Sequence, residues 1–319
     1  MEKNEDTIRR VPASTIFRNE EYQYIYSYYQ EPNGDTYTTT ELDEVNMAQV
    51  YNQYRVRYGI PFVDEIEQIK EDYGLSSSKL AMILGFGENQ IGNYLDGEIP
   101  NKANGKALSV IRNVTLFEEY VEMAKSQLGE RAYQKIKWRI EEVKKRTADP
   151  RVAIIFPIKE RSIYNGYAAQ DIFKIKDVIM CALSRMGYTF KTKMNKILFY
   201  IDMVSYRERG VAITGLAYKS EKYGVIPFRN EQVFSLLEIP QTVIYDDDRE
   251  LTPFSFDNEY VIKNINEEER RIIEMVCDKF RGLNSREISE INHKEDVWEK
   301  YYCKNIPIPF VEAFGIKQA

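Results

Sequence analysis

The 319-residue sequence predicts a mainly α protein with small β elements (α+β): an N-terminal β-hairpin and helix-turn-helix, followed by a C-terminal helical domain with a small sheet. Three observations carry that prediction. Tyrosines alternate at 22, 24, 26 and 28 ahead of an Asn-Gly turn; short apolar stripes punctuated by glycine run from Phe62 to Leu95; and longer stripes at helical spacing recur from Ile172 to Phe280. Alternation is the period of a half-buried strand and a 3,4 spacing that of an amphipathic helix. Hydrophobic residues make up 43% and charged residues 29%, which is enough apolar content to fold throughout. The length favours more than one compact region.

The elements follow in order. Tyr22 to Tyr28, the turn Pro32-Asn33-Gly34-Asp35 and Tyr37 to Thr40 read as a hairpin with a β-branched return strand. Its tyrosine face is expected either to pack on the neighbouring helix or to serve stacking or partner contact; Met47, Val50, Tyr51 and Tyr54 form the stripe of that helix, a short one ending near Gly59. Phe62, Ile66, Ile69 and Tyr73 mark the next helix, stopped by Gly74. Serines capping from Ser76 open another with Leu80, Ala81 and Leu84, and Gly85-Phe86-Gly87 make the turn. A third helix, Glu88 to Leu95, sends Ile91, Tyr94 and Leu95 inwards and Asn89, Gln90 and Asn93 outwards. Asn and Gln amides can grip adenine edges in a major groove, so these three are the candidate DNA-binding residues.

A helical connector carries Val121, Leu128, Ile136 and Ile140 and breaks at Thr147-Ala148-Asp149-Pro150. The C-terminal part has helices ending at Gly187 and Gly210, short strand or turn segments at 215–218, 241–245 and 252–256, a helix from Glu267 to Phe280, and a capping box at Asn284 and Glu287. The expected segments are 1–58 (hairpin), 59–113 (helix-turn-helix), 114–168 (connector) and 169–319 (C-terminal domain).

Composition narrows the function. Forty-four Lys and Arg against 50 Asp and Glu leave a net charge of −6, so no global positive field draws the chain to nucleic acid. Between Pro61 and Glu130 there are six bases and twelve acids, whereas Arg131 to Arg161 has ten bases and four acids. The basic strip is either a solvated helix face or a supplementary contact for phosphate or an acidic partner. Three scattered cysteines and one histidine provide neither a disulfide framework nor a Cys/His zinc site. No phosphate-cradling glycine loop, His-Glu-x-x-His or nucleophile pair is present. The stretch MEKNEDTIRR lacks the apolar core of a leader, and no run approaches the ~18 apolar residues of a membrane span. The expectation is a soluble cytoplasmic binding protein, not an enzyme, with no cofactor, no metal, no catalytic residue and no membrane contact.

The stretch Ser76 to Pro100, with Gly85-Phe86-Gly87 and Tyr94-Leu95-Asp96-Gly97-Glu98-Ile99-Pro100, resembles the helix-turn-helix of MqsA-type antitoxins. The hairpin sits where that family carries a zinc module, here without cysteines. Farther on, Lys193-Met194-Asn195-Lys196-Ile197-Leu198-Phe199-Tyr200, Gly215-Leu216-Ala217-Tyr218, Tyr223-Gly224-Val225-Ile226-Pro227 and Ser289 to Trp298 occur in the order of the motifs of the Panacea (SocA-like) domain, which the chain resembles from about Ile172 to Gly315. The motif residues are Lys196, Tyr218, Tyr223, Gly224, His293 and Trp298. His293 is expected to be a buried hydrogen-bonding hinge and Trp298 a core residue; Lys196 and Tyr223 are either surface contacts or satisfied polar groups.

The resemblance implies binding rather than catalysis: a type II toxin-antitoxin antitoxin that neutralises a cognate protein toxin through the Panacea domain. Operator DNA or a second copy of the chain would be the partner of the helix-turn-helix. Two alternatives are a protease adaptor that delivers the toxin for degradation and a DNA-binding regulator of a mobile element such as a prophage. A hydrolase built on a carboxylate pair is the least favoured reading.

Overall fold

The computed structural model describes residues 7–246 and 249–319. The first six residues, part of the stretch read above for a leader, lie outside the described residues. About 52% of the chain is helical and 13% is in strands, which makes it mainly α with small sheets.

The N-terminal sheet is larger than the sequence suggested. Strands β1 (Thr7–Phe17) and β2 (Glu20–Gln30) form a long antiparallel hairpin, and β3 (Thr36–Tyr37) adds only two residues beyond the Asn-Gly turn. The return strand expected through Thr40 therefore stops at Tyr37, because Thr40 already begins α1 (Thr40–Tyr58). The tight turn of the main hairpin is Arg18-Asn19, both at positive φ (50° and 67°), the backbone that matches strand twist in a two-residue loop. Phe17 and Glu20 flank this turn, so the bonded pairs alternate from there and Pro12 opposite Ile25 falls between them. Its missing N–H costs the ladder nothing. On the other side of β2, two buried amides of α1 substitute for a strand. Asn46 accepts from Ser27 N–H (2.8 Å) and donates to its carbonyl (2.9 Å), and Gln49 does the same at Ile25 (3.0 and 2.9 Å). A bare strand edge is thereby closed. Tyr24, Tyr26 and Tyr28 stay half-buried in a ring ladder along β2, while Tyr22 is buried.

The next helices are α2 (Val63–Tyr73), α3 (Ser77–Leu84), α4 (Gln90–Leu95), α5 (Lys102–Val110), α6 (Val114–Met123) and α7 (Glu130–Lys144). Gly74 ends α2 in the left-handed region, Ser76 caps α3 by accepting from Lys79 N–H, and Asn113 caps α6. The apolar stripes meet in one core of Ile66, Ile69, Leu80, Ala81, Ile91, Phe117, Val121 and Ile136. The connector is not one helix: it breaks at 125–129, where a 3₁₀ turn and Gly129 separate α6 from α7. Four of the ten bases of the basic strip are paired within this bundle. Lys137 and Lys144 pair with Glu118, Lys145 with Glu142, and Arg146 with Asp72.

The C-terminal part contains α8 (Pro150–Ile155), α9 (Ile172–Met186), α10 (Lys191–Arg209), β4 (Tyr218–Glu221), β5 (Gly224–Pro227), α11 (Asn230–Leu236), β6 (Ile244–Asp246), β7 (Arg249–Leu251), α12 (Glu267–Phe280), α13 (Ser285–Asn292) and α14 (Asp296–Tyr301), then a 3₁₀ segment at Phe310–Gly315. β4 pairs with β5 and β6 with β7, both antiparallel. The segment 252–256, expected as strand or turn, forms isolated bridges from Phe254 to Thr189 and Gln241.

By compactness the chain forms two units: one takes the chain up to Val50 together with Asp149–Ala319, and the other is Tyr51–Ala148. The segments expected from sequence divide the chain by motif; compactness divides it differently and groups the hairpin with the C-terminal residues. One cause is local. Gly210, at φ 71° after α10, lies so close to Ala48 of α1 that a Cβ there would meet the Ala48 Cβ at 2.6 Å.

Candidate functional site

The candidate site is organised by α10. Every residue from Lys193 to Tyr206 of this helix is buried, the state expected of a helix enclosed on all sides. Its polar side chains must then find partners inside the protein. Lys193 Nζ donates to the carbonyls of Arg281 (3.0 Å) and Leu283 (2.6 Å), closing the end of α12. Asp202 accepts from the backbone N–H groups of Ile213 and Thr214 (both 2.9 Å), from the Thr214 hydroxyl and from Tyr218 OH (2.6 Å). These bonds hold the loop that leads into β4. Burial pushes the Asp202 carboxyl above its ordinary range, with the four donors opposing.

β4 and β5 turn through Lys222 and Tyr223. Tyr223 projects, 63% exposed. Gly224 follows at φ 102°, and a Cβ there would fall 2.5 Å from Asn292 Oδ1 and 2.7 Å from Lys196 Cε, so only glycine permits this approach. Asn292 Oδ1 accepts from Val225 N–H (2.6 Å), and its Nδ2 faces Tyr200 OH at 3.4 Å. The hairpin is also pinned from α14: Trp298 Nε1 donates to the Glu221 carbonyl (3.0 Å), and Ser220 Oγ donates to the Trp298 carbonyl (2.8 Å). His293, which ends α13, stacks on Trp298 with ring centroids 4.1 Å apart, and Trp298 in turn lies against Tyr302 at 4.9 Å. The Lys222 backbone hydrogen-bonds the imidazole, while His293 Nε2 is buried without a partner. Burial and the nearby Lys196 charge hold the imidazole below its ordinary pKa.

The structure thus brings all six motif residues into one region of the C-terminal part. Tyr218 and Lys196 are 0% and 1% exposed, Gly224 is buried, and His293 and Trp298 are half-buried, so Tyr223 is the solvent-exposed member. Trp298 does not sit in the core as expected, because its indole N–H reaches a strand-end carbonyl at the surface. The candidate DNA-binding residues lie in the other unit. Asn89 is exposed at the N-cap of α4, Asn93 is exposed on its outer face, and Gln90 is half-buried with its amide on Glu98 (3.3 Å). The helix begins at Gln90 rather than Glu88 and is only six residues long.

Sequence reasoning missed two residues of the site. Asn292 lies inside the stretch Ser289 to Trp298 without being singled out there, yet its side chain joins α13 to β5. Glu295, 1% exposed, accepts from the N–H groups of Lys317 (2.9 Å) and Gln318 (3.0 Å) and ties down the tail. A buried Glu beside a Trp motif has no periodic signal; its only hint was its place inside Ser289 to Trp298.

An enclosed helix carrying a polar network, a pinned hairpin and one projecting aromatic make up the candidate site. Residues 194–299, about a third of the chain, match the family model described as antitoxin SocA-like, Panacea domain, and this match supports an antitoxin role in general. No curated protein and no solved structure matches the chain. Among the described residues, no helix is long and apolar enough to cross a membrane.

Proposed function

We propose that this protein is the antitoxin of a type II toxin-antitoxin pair and that it neutralises a cognate protein toxin by binding it directly through the Panacea region. The observation that carries the proposal is the Panacea match over 194–299 together with the disposition of its motif residues. Five of the six are buried or half-buried around α10 and build the scaffold; Tyr223 at the β4–β5 turn is presented to solvent. Tyrosine is a favoured interface anchor, because it offers a large rigid surface and a polar tip at little entropic cost. Tyr302, 41% exposed, adjoins Trp298 and extends the aromatic surface.

In this reading α3, its glycine turn and α4 serve as the helix-turn-helix, with Asn89 and Asn93 reaching operator bases. The pairing of Lys137, Lys144, Lys145 and Arg146 with acids of their own bundle engages four of the ten bases of the strip and leaves them less available for phosphate contact. Operator binding in this reading is therefore weak, with a shallow salt dependence, and secondary to toxin binding.

The test is co-expression with the product of the adjacent reading frame, read as colony survival. The proposal requires a neighbour that is lethal alone, survival with the full chain, and a stable complex of the two on size exclusion. Survival without any complex, or toxin that disappears only when a cellular protease is present, contradicts neutralisation by direct binding. Failure to retard its own promoter fragment at low salt removes the DNA part alone.

A further inference from the structure

Two lysines, three residues apart on α10, are buried in different ways. Lys193 has two carbonyl acceptors, whereas Lys196, 1% exposed, has no hydrogen-bond or ion-pair acceptor among the described residues. Burial alone pushes the Lys196 ammonium down to about 8, with no partner charge opposing it. A buried cation without an acceptor is strongly unfavourable, and such a group calls for a specific explanation. His293 Nε2 is also buried and unpartnered, and its ring feels the Lys196 charge. The turn Lys222-Tyr223-Gly224 adjoins both: the Lys222 backbone holds the imidazole, and Gly224 lies against Lys196 Cε.

The carboxylate of this cluster is already engaged. Glu295 is occupied by the N–H groups of Lys317 and Gln318, and Asn292 Oδ1 by Val225 N–H. The charged and titratable groups facing the imidazole are Lys196 from α10 and Glu290 from its own helix, with the Lys222 backbone from the turn. We propose that Lys196 and His293 form a niche for a carboxylate, delivered by an acidic side chain of the bound partner protein. The carrier rests on the antitoxin reading; the affinity for a carboxylate does not. Two neighbouring donors without acceptors can meet the two oxygens of a carboxylate, whereas a phosphate brings further oxygens for which this cluster offers no further free donor. On binding, Lys196 donates from its ammonium, and the imidazole takes one proton from solvent on Nε2 and donates it while keeping its bond to Lys222. Net charge rises by one on the protein and falls by one with the ligand.

His293 is the only histidine in the chain, so imidazole ¹⁵N resonances of the full-length protein report on this site alone. The probe is sodium acetate, compared with sodium chloride and sodium phosphate at matched ionic strength. In chloride, His293 should titrate below the ordinary 6.5. In acetate its midpoint should rise by about one pH unit, a tenfold coupling, and Lys196→Met or Lys196→Gln should remove that rise. Equal titration in acetate and chloride would mean that the niche holds only water and would overturn the proposal, and this comparison needs no variant to fold. A rise that persists without Lys196, or one produced by phosphate and not by acetate, overturns it equally. If acetate shifts His293 but the complex with the adjacent gene's product does not, the carboxylate niche stands and the partner as carrier is excluded. Failed colony rescue alone would strike the antitoxin reading and leave the acetate result untouched.

Discussion

The two compact units differ in how many charged groups they bury. The Tyr51–Ala148 unit encloses an apolar core of aliphatic and aromatic residues and settles most of its charges at the surface, as Lys137 with Glu118 and Lys145 with Glu142, with Arg55, 4% exposed, as an exception. The unit containing Asp149–Ala319 buries six charged residues besides its surface pairs: Asp177, Lys193, Lys196, Asp202, Glu269 and Glu295 are all at most 7% exposed. Most of these tie a loop or tail to a helix far away in sequence, as Asp177 does when it accepts from Tyr260 OH (2.7 Å), Lys263 N–H (3.0 Å) and Asn264 N–H (2.7 Å). A surface pair can be removed at small cost, whereas removing one member of a buried set leaves its partners without bonds. The motif-bearing unit is accordingly the one in which single polar substitutions should be most damaging.

The largest effect is expected from Asp202→Ala. Four donors lose their acceptor inside the protein, and the destabilisation should be about 3 to 5 kcal/mol by urea unfolding. A loss below about 1 kcal/mol would erase the contrast between the units. Lys196 sharpens it through pH. Its folded-state value of about 8 lies below the ordinary 10.5, so between the two the unfolded chain holds the extra proton. Stability should therefore rise with pH from about 8 towards 10, by at most about 1.4 kcal/mol per unit. Lys196→Met should flatten that rise, which thermal melts across the window would show.

These buried groups are also what the sequence did not disclose. Stripes such as Ile172, Ile175, Val178 and Leu183 announced α9, and Gly187 and Gly210 announced helix ends, because helical period and positive-φ glycine stops are local properties. β1 escaped notice. TIRRVPASTIF has a proline, two arginines and no apolar alternation, and its turn is Arg18-Asn19 without glycine. The length of α1 was missed for a related reason: its first turns are polar, and Asn46 and Gln49 serve a strand edge rather than a stripe. At the site, motif order brought out Lys196, Tyr223 and His293, but which of them would be buried depended on contacts some 70 to 100 residues away, such as those of Asn292 with Val225 and Tyr200.

Smaller effects complete the comparison. Asn284→Ala removes the cap that accepts from Arg286 and Glu287 N–H at the start of α13, and should cost about 1 kcal/mol in thermal or urea unfolding. Lys137→Ala, in the other unit, should cost less than about 1 kcal/mol and fade further in salt, since its ion pairs with Glu118 and Glu122 are solvent-accessible. A cost for Lys137→Ala equal to that for Asp202→Ala would mean that the two units do not differ in the way described.

The central claim is that the Panacea region binds a toxin and presents Tyr223 to it from a rigid scaffold. It is tested most directly by calorimetric titration of the purified product of the adjacent reading frame with the full-length protein and with Tyr223→Ala. Tyr223 is 63% exposed, so its truncation should leave the fold and its melting point unchanged while weakening the complex about tenfold or more. Equal affinity for the two proteins, with both folded, would contradict the account and place the toxin on another surface.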